Sequence, residues 1–159
     1  MNHGGGDGIW SENSKLLLWV TEGKWTTDSV VVVKFKGADV AWMIDLSPPC
    51  QKAILVRTKA ADPAASAREK EWNKDNGAAY PEGFTIDVST GDASGEEPRL
   101  PLKVRVDLTS NPKGNSDADA IQHQAIDAWL DATLDEYGVL TFGKFQAERR
   151  PDLKNSWAY

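Results

Sequence analysis

The chain has 159 residues, the size of one ordinary domain, and 40% of them are hydrophobic, which is enough for a packed core and argues against wholesale disorder. The formal net charge is −6 and the only adjacent basic pair is Arg149-Arg150, so we expect neither nucleic acid nor an anionic membrane as a partner. Cys50 is the single cysteine, which excludes an intrachain disulfide, and with the polar first residues it favours a cytoplasmic location.

The chain reads as one folded unit between two polar ends. Residues 1–8 are glycine-rich and predict a flexible arm, residues 9–146 a single domain, and residues 147–159 a polar tail. Runs that alternate or are continuously apolar predict seven strands. These are residues 15–20, 29–36, 40–46, 53–58, 84–89, 102–108 and 139–146.

Three local signals refine the predicted strands. Four consecutive valines, residues 30–33, cannot alternate between core and water, so their strand should be central and covered on both faces. Pro48-Pro49 should end the third strand. Gly143 is a candidate for a bulge or kink in the last one.

Two helices are predicted. The longer covers residues 116–137, where Ser116 and Asp119 form a capping box and Gly138 follows as a C-terminal residue able to adopt positive φ. Its apolar face at helical spacing consists of Ile126, Trp129, Leu130, Thr133, Leu134 and Tyr137. The shorter helix begins at Asp62-Pro63 and closes at Asn76-Gly77.

Together these elements predict an α+β fold. We expect a mostly antiparallel sheet of about five to seven strands, with the long helix of the C-terminal half and the shorter helix packed on it. The helices should cover one face of the valine strand, and a second subunit is a candidate to cover the other.

His123 is the candidate for a role in a pocket. It lies at the edge of the predicted apolar face of the long helix, with Asp127 one turn later, so the pair could form the rim of a pocket between helix and sheet. A core-edge histidine bonded to a carbonyl would look the same. Metal binding by this pair would require one or two further ligands from elsewhere, and no second histidine lies outside the N-terminal arm, so we predict neither a metal site nor a cofactor.

Three other patterns have ordinary explanations. Residues 3–6 read HGGG, the string of an esterase oxyanion hole, but no G-x-S-x-G elbow accompanies it. The series Asp127, Asp131 and Asp135 would lie about 6 Å apart on a helix, as phosphates do, yet a solvated helix face is commoner. Cys50 has no neighbour in sequence that would activate its thiol.

Tryptophan is abundant, with seven residues in the chain. Several should anchor the core, and any that remain outside would mark a contact surface. Trp157 and Tyr159 in the polar tail have no element of their own to pack them, so they are candidate partner contacts. We therefore expect self-association through the tail or through an exposed sheet face, and a different protein partner is the alternative.

No family is identified from these residues, and two functional hypotheses follow. The first is a non-enzymatic binding or accessory protein that acts as a homo-oligomer, because no catalytic constellation is present and aromatic residues are many. The alternative is a small enzyme or small-molecule-binding domain with its pocket between the long helix and the sheet.

Overall fold

The computed structural model of the chain describes residues 5–22, 27–64, 67, 84–91, 97–110 and 126–149. These residues form eight β-strands and one α-helix. In chain order they are β1 (Gly5–Trp10), β2 (Leu16–Glu22), β3 (Thr27–Lys36), β4 (Asp39–Asp45), α1 (Ser47–Ala61), β5 (Phe84–Thr90), β6 (Leu102–Ser110), β7 (Ile126–Leu134) and β8 (Leu140–Arg149).

The strands form two antiparallel sheets of four. Sheet A has the order β1-β2-β3-β4 and sheet B the order β5-β6-β7-β8, so every pairing is between neighbours in sequence. The predicted α+β class, with one sheet carrying a long and a shorter helix, is therefore wrong, because strands dominate the described residues. Most of the shorter predicted helix falls outside them.

One hydrophobic core lies between the inner faces of the two sheets and α1. Each strand contributes alternate residues to it, as the two-residue period of a strand requires. The largest fully buried side chains are Phe84, Leu46, Ile54, Leu108, Ile126, Leu130, Leu134, Val30, Val32 and Val106. The core thus takes apolar side chains from both sheets, and its helical part comes from the connection between them.

Helix α1 occupies residues that were predicted to be a strand. Pro48 and Pro49 lie in its first turn, where proline costs no intrahelical hydrogen bond, so they start this element rather than only ending β4. Ile54 and Thr58 are buried four residues apart, whereas Val56 between them is 62% exposed. A strand would have placed all three on one face. The apolar run of residues 53–58 was misread because it is too short to distinguish the two periods.

The long helix predicted for residues 116–137 is also wrong where the chain is described, because Ile126–Leu134 is strand β7. Its core residues are Ile126, Ala128, Leu130, Ala132 and Leu134. Residues 126, 130 and 134 are four apart, which is close to one helical turn and also two strand periods, so both templates match them. The residues between them on the buried face are small alanines, so the alternation of apolar and polar residues that indicates a strand is weak in the sequence.

The other predicted strands are confirmed within one to three residues at each end, and β3 is an interior strand, as the valines predicted. Gly37, with φ of 65°, lies in the β3–β4 turn. Gly143 is part of a bulge, because Gly143 and Lys144 together oppose Asp131. Gly5–Gly8, assigned to the arm in sequence, are paired with β2 as part of β1.

The turn between β7 and β8 holds sheet B to sheet A. Lys34 Nζ and Trp42 Nε1 both donate to the carbonyl oxygen of Glu136, at 2.6 and 3.3 Å. Gly138 has φ of 83° and lies against Ile44, whose Cδ1 would be 2.9 Å from an added Cβ. These contacts, made by β3 and β4, fix which face of sheet A is buried and which is left outside.

Candidate functional site

The outer face of sheet A is apolar along its whole width. In β3, Val30 and Val32 point into the core, so Val31 and Val33 point to the opposite side. The strand register places one apolar residue from each strand in a single row across that side. This row consists of Trp10, Leu17, Val33 and Met43.

A second row adjoins the first on the same face. It consists of Gly8, Trp19, Val31 and Asp45. Trp19 lies flat across β1, because a Cβ on Gly6 or Gly8 would come within 3.0 Å of its ring. The glycines of β1 therefore make room for a tryptophan of β2, and any larger residue there would displace the ring.

Phe35 and Val40 extend the face on the other side of the first row. They are opposite one another across β3 and β4, next to the bulge in that pairing. The rings of Phe35 and Trp10 lie 5.3 Å apart between centroids at an interplanar angle of 31°, a favourable aromatic contact. We call the following set the apolar face: Trp10, Leu17, Trp19, Val31, Val33, Phe35, Val40 and Met43.

The apolar face is open at its edges, whereas Val33 in the middle of the first row is 8% exposed. Met43 is 67% exposed, Trp10 48% and Trp19 43%. Strands lie about 4.8 Å apart and rows about 7 Å apart, so each position covers roughly 34 Å² and the eight side chains of the apolar face cover roughly 270 Å². A contiguous apolar patch on a soluble protein is often a functional surface, so this face is the candidate functional site.

The charge at the corner of the apolar face has a local function. Asp45 ends β4, and its Oδ1 accepts a hydrogen bond of 3.0 Å from the backbone N–H of Ser47 at the start of α1. This carboxylate is thus already used to hold the first turn of the helix. The centre of the face offers shape and apolar area rather than charge.

The outer face of sheet B is of the opposite kind. Its one tryptophan among the described residues, Trp129, has the Arg105 guanidinium 4.2 Å and the Lys144 ammonium 4.9 Å from its ring centroid. Arg105 is in turn 3.0 Å from Asp107 and 3.5 Å from Asp131. An aromatic ring on this sheet is therefore covered by charged side chains of its own chain, as befits a solvent-facing surface.

The residues predicted as a pocket rim are not brought together by the described part of the chain. Asp127 lies on β7 with its side chain on the outer face of sheet B, and His123 lies outside the described residues. Asp127 and Asp131 share that face, but four residues along a strand separate them by about 13 Å rather than the 6 Å of a helix. Trp157 and Tyr159, the predicted partner contacts, also lie outside the described residues.

Two open grooves flank the segment from Glu97 to Pro101, with volumes of about 630 and 430 Å³. The larger is lined by both cations and carboxylates, among them Lys15, Arg99 and Glu12. Glu97, common to both, accepts a 3.0 Å hydrogen bond from the Glu12 backbone N–H. Over the ranges described, no group of three or more His, Cys, Asp or Glu side chains could hold a metal ion.

Cys50 has an environment that suppresses thiolate chemistry. It is fully buried in α1, and burial, with a smaller contribution from the Asp45 carboxylate, raises the pKa of its thiol from 9.0 to about 12. A nucleophilic or metal-binding cysteine needs a lowered pKa and access, so Cys50 is a core residue.

Comparisons of the chain with protein-family models, with curated proteins and with solved structures gave no match. Among the residues that the structure describes, no helix has the length and apolar character that crossing a membrane requires.

The sequence alone did not identify the residues of the apolar face. The surplus of tryptophan was the signal, but only the strand register identifies Trp10 and Trp19 as the outer ones.

Proposed function

We propose that the protein is a non-enzymatic binding or accessory protein that acts as a homo-oligomer, and that the apolar face of sheet A is the surface through which two copies associate. The observation that carries the proposal is the row Trp10, Leu17, Val33 and Met43, in which all four strands present apolar side chains outward. In a sheet with one solvated face, these positions are normally polar.

The apolar face is large enough to form the centre of an interface with a second copy of the chain. A standard interface buries about 800 Å² per partner, of which roughly 56–65% is apolar, or about 450–520 Å². The apolar face supplies roughly 270 Å² of this by its dimensions, and Asp45 at its margin lies where a polar rim would form. An apolar surface is also self-complementary, since it needs no opposite charge on its partner.

The chain offers an internal comparison that supports the same choice. Sheet B faces outward with Arg105 and Lys144 over Trp129, whereas Trp19 on sheet A lies on the glycines of β1 with 43% of its surface exposed. The outward tryptophan of sheet B is thus covered by charged side chains, whereas that of sheet A is left exposed. The difference is expected if sheet A meets another protein surface and sheet B meets water.

The test is the mass of the full chain in solution, measured by sedimentation velocity from about 1 to 200 µM. The monomer is 17.4 kDa, so the dimer is twice that, 34.8 kDa. Met43→Glu puts a charge into the middle of the apolar row without touching the core, and we expect it to give the monomer mass. Thr133→Glu adds the same charge at an exposed position of the outer face of sheet B and should leave the association unchanged.

Two results would overturn the proposal. One is a wild-type mass of 17.4 kDa at every concentration, and the other is equal masses for wild type and Met43→Glu. A chain that ends at Arg150 separates the further possibility that the tail covers the face. If that shortened chain associates while the full chain stays monomeric, Trp157 and Tyr159 are the occupants and the second copy is not.

A further inference from the structure

The two rows of the apolar face that contain tryptophan have their bulkiest side chains on β1 and β2. In the two rows that contain tryptophan, β1 and β2 contribute Trp10, Leu17 and Trp19, while the interior strand β3 contributes Val31 and Val33. In these rows the rings therefore stand on β1 and β2, whereas β3 carries valines and β4 carries Met43 and Asp45. This asymmetry restricts how two copies can meet.

A symmetric face-to-face contact has its two-fold axis in the plane of the interface. An axis along the strands, between β2 and β3, reverses each row, so that Leu17 faces the partner's Val33 and Trp10 faces the partner's Met43. An axis along the rows instead places the middle row on itself, so that Trp10 faces the partner's Trp10. Both arrangements keep the strands of the two sheets nearly aligned, as packed sheets require.

Resting on the proposed self-association, we infer that the two-fold axis runs along the strands between β2 and β3, so that Trp10 of each copy packs on the partner's Met43. Interiors pack well when large side chains on one surface meet small ones on the other. This axis sets Leu17 on the partner's Val33, and it brings the Trp19 ring, which lies over Gly8, to the partner's Asp45 at the margin of the face. The other axis opposes Trp10 with its own copy and Val33 with its own copy, so that two large rings meet at one edge while two small side chains meet beside them.

The contact between Trp10 and the partner's Met43 has favourable chemistry as well as favourable size. The thioether of methionine is polarizable and packs well against the edge of an aromatic ring. Met43 is 67% exposed, so its flexible side chain is free to adjust to the ring. Symmetry makes the contact twice, once at each edge of the interface.

A charge exchange tests this pairing in the full chain by sedimentation velocity. Trp10→Lys and Met43→Glu each bury a charge against an apolar group, so each alone should weaken the dimer about 100-fold or more. The double variant places Lys at 10 opposite the partner's Glu at 43 twice, and should return the dissociation constant to within about tenfold of wild type. The two sites lie about 14 Å apart within one chain, so the rescue cannot come from an intrachain pair.

Cysteine cross-linking with copper phenanthroline gives a second readout. The double variant Trp10→Cys, Met43→Cys should form a disulfide-linked dimer, while each single variant should not. Cys50 is buried, so it contributes no background in the folded protein. The combined result identifies the axis, because the alternative axis opposes each residue with its own copy.

The outcomes separate the inference from the proposal on which it rests. If wild type is monomeric, or if neither single charge weakens the dimer, the apolar face is not the interface and both fail. If the single charges dissociate the dimer but the double variant gives no rescue, or if Trp10→Cys alone cross-links, the axis inference is wrong and the self-association proposal stands. Circular dichroism of each variant, unchanged from wild type, excludes unfolding as the cause.

Discussion

The stability of the fold should fall steeply above pH 9 because of Cys50. In the folded protein, burial and the Asp45 carboxylate raise the pKa of this thiol from 9.0 to about 12. In the unfolded chain the thiol ionises near 9.0. Between these values the unfolded state loses a proton that the folded state keeps, so the free energy of unfolding decreases as pH rises. Below about pH 8 the thiol is protonated in both states and has no effect on the pH dependence.

The size of the effect follows from the shift. One pKa unit corresponds to about 1.4 kcal/mol, so the slope approaches about 1.4 kcal/mol per pH unit above 9, and the total reaches about 4 kcal/mol near pH 12. Replacing Cys50 by alanine removes the titration. The variant starts less stable at pH 7 by about 1–3 kcal/mol, because it leaves a small cavity in the core, but its stability should decline less between pH 9 and 10.5.

Urea unfolding at fixed protein concentration and at pH 7, 9, 10 and 10.5 measures both curves. Titration of lysines and tyrosines is common to wild type and Cys50→Ala, so the difference between the two slopes isolates the thiol. We expect that difference to be about 1 kcal/mol or more per pH unit above pH 9. Parallel curves would show that the Cys50 thiol ionises equally in both states, and the assignment of this residue to the core around α1 would have to be abandoned.

Two matched pairs of variants test the turn between β7 and β8 and the helix α1. Gly37→Ala should lower the stability by about 1 kcal/mol because of its positive φ alone. Gly138→Ala should lower it more, since its Cβ would also lie 2.9 Å from Cδ1 of Ile44. Equal losses in thermal unfolding would contradict the contact between the β7–β8 turn and sheet A. Ile54→Ala should cost about 2–5 kcal/mol and Val56→Ala less than 1 kcal/mol, because only the first is buried in α1; similar losses in chemical unfolding would contradict the helix and favour a strand.

Most strands could be predicted from the sequence because their own residues carry the pattern. The run of residues 102–108 alternates with large apolar side chains, and its outcome, β6, is buried at every second position. Strand β1 carries no such pattern, since GGDGIW has few apolar residues and gains its order from pairing with β2. Glycine at Gly6 and Gly8 looked like flexibility, whereas its use is to admit the ring of Trp19.

The two wrong assignments have one physical cause. Leu130 and Leu134, like Ile54 and Thr58, are four residues apart, and that spacing suits a helical turn and two strand periods equally. The burial of the residue midway between them distinguishes a strand from a helix, and burial is known only from the structure. Ala132 is buried in β7, whereas Val56 is exposed on α1. A small buried residue and a large exposed one both run against the hydropathy of the sequence, so the pattern alone favoured the wrong element each time.

The candidate site could not be predicted, because it is a relation between strands. Trp10, Leu17, Val33 and Met43 are scattered over the first third of the sequence, and only the register brings them into one row. The four valines did carry a part of the information, since they require cover on both sides of β3. Sheet B and α1 supply that cover on the inside.

The outer face of sheet A, on the outside of β3, differs in composition from the outer face of sheet B. If that face were normally exposed to water, we would expect charged side chains to cover its tryptophan as they do on sheet B. There, Arg105 and Lys144 lie over the ring of Trp129. Instead, neighbouring glycines let Trp19 lie flat over β1, where its ring adds apolar area that a partner can bury. Apolar area gains free energy when it leaves water, and a second copy of sheet A offers an apolar surface against which it can be buried.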